Sequence, residues 1–324
     1  MTNENNMFQD RNVLVTGGTG FIGTNLINRL LSLSANVRAT LHKKDPNIID
    51  NRIEYIKCDL YNMEDCKKVV EGMDYVFMCA ASTFGAAVTA ENPLVYVTPN
   101  IIMNAQMLEA SYFAGIKKFI FISSNAIYPP SGDRYVKEEE AFNGDPPDVY
   151  FGVSWMKRYT EILCRLYSEK LKNPMKTVIV RPSNVYGPYD KFDLNLSHVT
   201  SANIRKVIDR HDPIQIWGTG NDIRDLIYID DFIDGLILAA ENMYNDAVNI
   251  AYGKGYSIKE VLQMMLEIDG YDNAKIVYDS TKPSMIPIRL IDTTKAKKLL
   301  GFKAKTNIRE GIKKTIDWYR ENLL

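Results

Sequence analysis

An apolar run ending in a glycine turn, Val13-Leu14-Val15-Thr16-Gly17-Gly18-Thr19-Gly20-Phe21-Ile22-Gly23, constrains this chain more than any other segment. It satisfies G-x-G-x-x-G at Gly18, Gly20 and Gly23, and the wider G-x-x-G-x-x-G at Gly17, Gly20 and Gly23. Glycine there permits a tight turn, close approach of backbone to a pyrophosphate, and close packing of helix on sheet. The amphipathic pattern from Phe21 to Leu33 would aim free N–H groups and a positive dipole end at phosphates. A glycine triplet alone also describes an ordinary turn. An apolar strand before it and a helix after it predict a dinucleotide site.

Strand-like runs continue at Val37–Leu41, Ile53–Lys57, Tyr75–Ala80, Phe119–Ser123 and Thr177–Arg181. Between them, Met63–Glu71, Pro99–Ala114 and Tyr150–Lys170 have helical spacing. This alternation predicts an α/β fold, a doubly wound parallel sheet whose ligands bind at the carboxyl ends of the strands. Thr16–Gly23, Leu41–Lys44, Ala80–Phe84 and Ser123–Tyr128 are therefore expected around one crevice. After about Tyr186 the alternation loosens. Gly187–Asp193 is rich in turn formers, Ile214–Gly218 and Leu226–Ile229 are short apolar segments, and an amphipathic helix from Thr306 carries Trp318 and Tyr319. The expectation is a dinucleotide-binding domain over 7–186 and a smaller substrate lobe over 187–324, with some segments returning to the sheet.

The 324 residues suffice for one large α/β unit or two unequal domains, and a net charge of −1 gives no reason to expect nucleic acid. No apolar run approaches the roughly 18 residues that span a bilayer, so no membrane role is expected. The polar start lacks the basic-then-apolar pattern of a secretory signal. Cys58, Cys66, Cys79 and Cys164 show no metal-ligand spacing and read as reduced thiols of a cytoplasmic protein. No structural metal is expected.

An acid at the end of the second strand would bind the adenosine ribose and favour NAD. That place holds none; His42, Lys43 and Lys44 supply positive charge where a 2′-phosphate would sit. A solvated basic loop is the bland alternative. The reading leans to NADP(H) and keeps NAD open.

Three further motifs join the glycine turn: Ser123-Ser124-Asn125-Ala126-Ile127-Tyr128, Arg181-Pro182-Ser183-Asn184-Val185-Tyr186-Gly187-Pro188, and Arg224-Asp225-Leu226-Ile227-Tyr228-Ile229-Asp230-Asp231. Together they resemble an extended short-chain dehydrogenase/reductase of the nucleotide-sugar-modifying kind, over nearly the whole chain. Within it the resemblance is strongest to the GDP-L-fucose synthase group, without a gap from Asn184 to Val199 and on to Trp217-Gly218 and Arg224.

The resemblance implies hydride transfer between a nicotinamide and a sugar carbon, usually C4. It places Ser124 as the hydroxyl that orients the reacting oxygen and Lys157 as the residue that holds the nicotinamide ribose and lowers a tyrosine's pKa. The tyrosine is displaced. Val153 stands four residues before Lys157, and the nearest phenol, Tyr150, stands seven before it. On a continuous helix Tyr150 and Lys157 would share a face about two turns apart. A rival register puts Ser154 or Trp155 in the lysine slot. Tyr150 as acid, another proton-transfer group, and loss of carbonyl chemistry all stay open.

Asn125 and Ala126 stand where sugar-nucleotide dehydratases carry Asp-Glu, which argues against elimination. His198 matches the histidine of the fucose synthases, but Ala126 replaces their cysteine, so double epimerisation lacks one base. Asp59, Leu60, Ala80 and Ala81 join the glycine turn as implied cofactor contacts. Ser82, Gly85, Asn100, Asn125, Asn184, Lys206 and Arg224 fall on the substrate side, although Asn100 also reads as a residue starting a helix after Pro99. The implied function is reduction at C4 of a nucleoside-diphosphate, GDP-linked 4-keto-hexose for a surface glycan. A nucleotide-sugar epimerase or dehydratase retaining NAD, and a non-catalytic cofactor-binding regulator, are the alternatives. Pairing through the two long helices implies a homodimer.

Overall fold

The computed structural model describes residues 6–83, 94–194, 196–281 and 286–324; Phe84, Gly85 and Asn195 lie outside them. Among the described residues seven strands form one parallel sheet: β1 (Asn12–Val15), β2 (Asn36–Leu41), β3 (Ile53–Lys57), β4 (Tyr75–Met78), β5 (Lys118–Ile122), β7 (Lys176–Pro182) and β11 (Asp246–Ile250). Their order is β3-β2-β1-β4-β5-β7-β11, every neighbour parallel. The order reverses between β1 and β4, which opens a crevice at their carboxyl ends.

Successive strand residues point to opposite faces, and the sequence fills both faces with apolar groups. Val13, Val15, Phe77, Ile120 and Val178 meet α1 (Phe21–Ser32) and α6 (Ile229–Asn242) through Leu26, Ile27, Phe232 and Leu236. Leu14, Val76, Phe119, Phe121 and Ile179 meet α2 (Met63–Val70), α3 (Leu94–Phe113) and α4 (Phe151–Arg165) through Val69, Met107 and Cys164. Near-continuous apolar runs are what a sheet covered on both faces requires.

The second lobe is built on β10 (Ile223–Tyr228), flanked by β12 (Gly255–Ser257), β14 (Ile288–Ile291) and β8 (Asn184–Tyr186); β6 (Tyr135–Val136) extends β14. A separate parallel pair joins β9 (Ile214–Trp217) to β13 (Ile276–Asp279). Helices α5 (Val199–Ile208), α7 (Ile258–Asp269), α8 (Thr294–Leu300) and α9 (Ile308–Leu323) follow in the second half of the chain. Ile204, Ile216, Leu262 and Ile312 merge with the core under α1 and α6. Strand β11, from beyond residue 187, forms an edge of the large sheet.

Three element boundaries differ from expectation. Helix α3 includes Leu94, so Pro99 and Asn100 lie inside it rather than at its start. Tyr150 closes a 3₁₀ turn, Asp148–Tyr150, and α4 begins one residue later, so Tyr150 and Lys157 do not share one helix face. Strand β10 begins at Ile223, which places Arg224 within the strand and Ile229 at the start of α6.

Candidate active site

Main chain and two threonine hydroxyls shape the floor of the crevice. The buried Thr16 hydroxyl accepts from the N–H groups of Cys79 and Ala80, each at 3.0 Å, joining the ends of β1 and β4. Gly17 N–H donates to Thr40 Oγ1 at 2.8 Å, and Gly18 N–H to Thr40 O at 2.9 Å. Gly17 has φ +68°, and a Cβ there would lie 2.8 Å from Ala80 Cα. A Cβ on Gly23 would reach 2.3 Å from Gly17 O. These contacts explain the glycines physically: the turn and the helix touch through main chain.

Thr24 N–H donates to Gly20 O at 2.9 Å, closing the first intrahelical bond. The N–H groups of Phe21, Ile22 and Gly23 precede any intrahelical acceptor, Gly20 offers no side-chain cap, and the first turn holds no acid. That arrangement fits an anionic pyrophosphate. His42, Lys43 and Lys44 follow β2 as an exposed loop beside this turn. Asp59 shapes the bend after β3, its carboxylate accepting from Tyr61 N–H at 3.0 Å, while Leu60 is buried.

The chemistry-bearing residues gather at the end of β5. Lys157 Nζ donates to Ile122 O at 2.8 Å and lies 4.8 Å over the Phe121 ring. Burial pushes its pKa down to about 8, against the opposing pulls of Glu161 and Cys79. Of the residues in the two registers, Lys157 is the one whose ammonium lies at the end of β5. Ser154 is buried with its hydroxyl donating to Ala126 O at 2.8 Å, and Trp155 is exposed. Ser124 caps the short turn Asn125–Ile127, its hydroxyl accepting from Ala126 N–H at 3.1 Å.

Behind Lys157 lies a buried network only partly visible in the sequence. Glu161 receives Arg181 through Nε at 3.0 Å and Nη2 at 2.7 Å, and Ser123 Oγ at 2.5 Å. Arg181 Nη1 also donates to Tyr128 Oη at 3.1 Å, and that phenol donates to Asn249 Oδ1 at 2.5 Å. Asn249 N–H in turn donates to Glu138 Oε1 at 2.8 Å. Burial pushes the Tyr128 pKa well up, so this phenol stays protonated inside the network.

Tyr150 stands on the other side. Burial raises its pKa and Arg224 pulls it back, with Tyr96 and Asp222 adding a further rise. Its electrostatic neighbours thus belong to the substrate lobe and α3. Arg224 donates to Asp222 at 3.1 Å and to Ile223 O at 3.0 Å. Its partner across the parallel β10–β14 register is Arg289, so the two side chains leave the sheet together. Arg289 is buried, donates to Tyr128 O at 2.9 Å and Pro129 O at 3.0 Å, and keeps its Nε without a partner. Burial, with Arg224 adding its repulsion, lowers the Arg289 pKa to about 10. The cue in the sequence for this arginine is a cation within the apolar run Ile286–Ile291.

Other expected site residues are engaged with backbone. Asn125 donates to Pro182 O at 3.0 Å, Asn184 to Asp225 O at 3.1 Å, and Lys206 to Gln215 O at 2.7 Å. Ser82 is clamped by Asn100, which accepts from its N–H and donates to its carbonyl, each at 3.0 Å. Ala80 and Ala81 border the crevice just before it. His198 is exposed at the start of α5, and its ring makes no capping bond.

Residues 13–251 match the model of the NAD dependent epimerase/dehydratase family. The chain is similar to a probable GDP-L-fucose synthase of Oryza sativa subsp. japonica, 27% identical over 323 residues, 96% of this chain and 93% of the relative. It is likewise similar to the GDP-L-fucose synthase of Sinorhizobium fredii, 28% identical, with 98% of both chains covered. Among solved structures it resembles UDP-glucose 4-epimerase of Thermotoga maritima with UDP-glucose, at TM-score 0.87 and 27% identity, over 97% of this chain and 100% of the other.

Proposed function

The chain belongs to the NAD dependent epimerase/dehydratase family, and from that premise we propose a nucleotide-sugar-modifying oxidoreductase acting at C4 of a GDP-linked 4-keto-hexose. The observation that carries this reading is the Arg224–Arg289 pair on neighbouring strands. Two adjacent guanidiniums favour an anion between them, and a sugar diphosphate offers the oxygens for charge-assisted bonds. GDP-linkage is supported by the relatives of Oryza sativa and Sinorhizobium fredii, a probable and a named GDP-L-fucose synthase. The exposed His42-Lys43-Lys44 loop, with no acid at the end of β2, supports NADP over NAD.

Bound NADP(H) supplies or accepts the hydride. Phe21, Ile22 and Gly23 would offer their N–H groups to its pyrophosphate, and Lys157 would hold its nicotinamide ribose. Ser124 orients the sugar oxygen. Tyr150 exchanges the hydroxyl proton, with the Arg224 charge favouring the phenolate it forms. His198 acts as a single acid/base or hydrogen-bond donor, because Ala126 supplies no second base. Phe151, Trp155, Tyr159, Ile162 and Leu166 form an exposed stripe along α4, with Leu166 just past its end. That stripe supports a homodimer built on this helix.

The test is NADPH oxidation, followed by absorbance, with GDP-, UDP-, CDP- and dTDP-linked 4-keto-hexoses. Turnover is expected to be fastest with the GDP sugar. Binding of NADPH without turnover on any of them would leave a cofactor-binding regulator instead.

A further inference from the structure

Lys191 lies in the loop that enters the second lobe, yet its ammonium reaches back across the crevice. Nζ donates to Thr83 O at 2.8 Å and to Thr83 Oγ1 at 2.7 Å, just past the end of β4. The same loop is tied to the first turn of α1, where Asn25 Nδ2 donates to Phe21 O at 2.9 Å and Pro188 O at 3.0 Å. On its far side Tyr189 packs on Trp318, ring centroids 4.8 Å apart, and Phe192 on Tyr319 at 4.8 Å. The backbone bearing Lys191 is thus pinned from two directions over the glycine turn.

The charges around this ammonium are unbalanced. Burial depresses its proton affinity first, and Lys44, from the loop after β2, depresses it further. Asp190 opposes them, but it is itself a buried carboxylate that burial drives towards the neutral form and that answers to His198. Thr83, a neutral carbonyl and hydroxyl, is a weak partner for a half-desolvated cation. Lys191, held at Thr83 beyond β4, and Lys44, in the loop after β2, are thus near enough for their charges to act on each other. Their loops are tied to the glycine turn at Thr19 O and to α1 at Asn25.

We propose that Lys191, together with Lys44, is a phosphate-binding cation of the dinucleotide site, and that its bond to Thr83 is exchanged for a phosphate oxygen when the dinucleotide binds. This rests on the dinucleotide reading above, and the ligand chemistry is a phosphate of either the pyrophosphate bridge or the 2′ position. A cation that trades a neutral acceptor for a phosphate gains a charge-assisted bond, which is also sensitive to salt.

Binding of NADPH, NADH and ADP-ribose to the full chain is measured by calorimetry at low and high salt. Failure of the wild-type protein to bind either dinucleotide removes the underlying reading itself. Where wild type binds, Lys191→Met is expected to weaken binding about 10- to 100-fold and to flatten the salt dependence. Lys191→Arg is expected to retain most of the affinity. Thr83→Val is expected to leave binding unchanged or tighter, because it removes a competing acceptor. Equal weakening by Lys191→Met and Thr83→Val would reduce the bond to a loop tether and overturn the proposal, as would unchanged affinity in Lys191→Met. A loss shared by all three ligands assigns the pyrophosphate; a loss confined to NADPH assigns the 2′-phosphate.

Discussion

Lys157 is a residue at which burial and charge oppose each other. Its pKa of about 8 is below the roughly 10.4 of an unfolded lysine. Between those values the unfolded chain holds the extra proton, so this group's contribution to stability improves as pH rises from about 8 towards 10.4. Activity has the opposite dependence. With the ammonium required, kcat/KM is expected to fall above about pH 8, and Lys157→Met to remove that limb along with most of the rate; a pH–rate profile of both proteins decides it. Tyr150→Phe is expected to lower turnover by about 10²–10⁴, and a near-normal rate would end its assignment as the acid. Glu161 has a different role, because its carboxylate is the buried partner of Arg181. Glu161→Ala strands that guanidinium and is expected to destabilise the fold by about 3–5 kcal/mol, read from urea unfolding.

At the level of elements, α3 shows how a helix defect positions a loop. Pro99 has no N–H to offer Val95 O, four residues earlier. That carbonyl accepts from Ser82 Oγ at 3.2 Å instead, while the next residue, Asn100, clamps the Ser82 backbone. The loop after β4 is thus held by the interior of a helix rather than by its own turn. Asn100→Ala leaves the Ser82 N–H and carbonyl without those partners. It is expected to cost about 1–3 kcal/mol and to raise KM for the sugar nucleotide more than it lowers kcat. The contact between α1 and the glycine turn is equally direct: Gly23→Ala forces a methyl into Gly17 O. An expected loss of about 1–3 kcal/mol in unfolding free energy should accompany weaker dinucleotide binding.

For the whole molecule, the α4 stripe makes the assembly testable. Tyr159 is 48% and Ile162 44% exposed, on a helix otherwise packed against α3 and the sheet. Tyr159→Asp with Ile162→Glu is expected to convert the proposed dimer to a monomer in sedimentation, leaving dinucleotide binding intact. The sheet itself was legible from the sequence, because period-two burial and apolar runs are local properties; β3 spans Ile53–Lys57 as read. The glycine turn was legible for the same reason, since its demands on φ and on Cβ fall on consecutive residues. What the sequence by itself determined is therefore the doubly wound α/β class and the glycine turn between β1 and α1. Only the tertiary structure decided which distant groups meet: Arg224 with Arg289, Glu161 with Arg181, Lys191 with Thr83, and Tyr150 with Arg224 in its field. Strand register and lobe packing set those encounters, and neither is written in the spacing of residues along one segment.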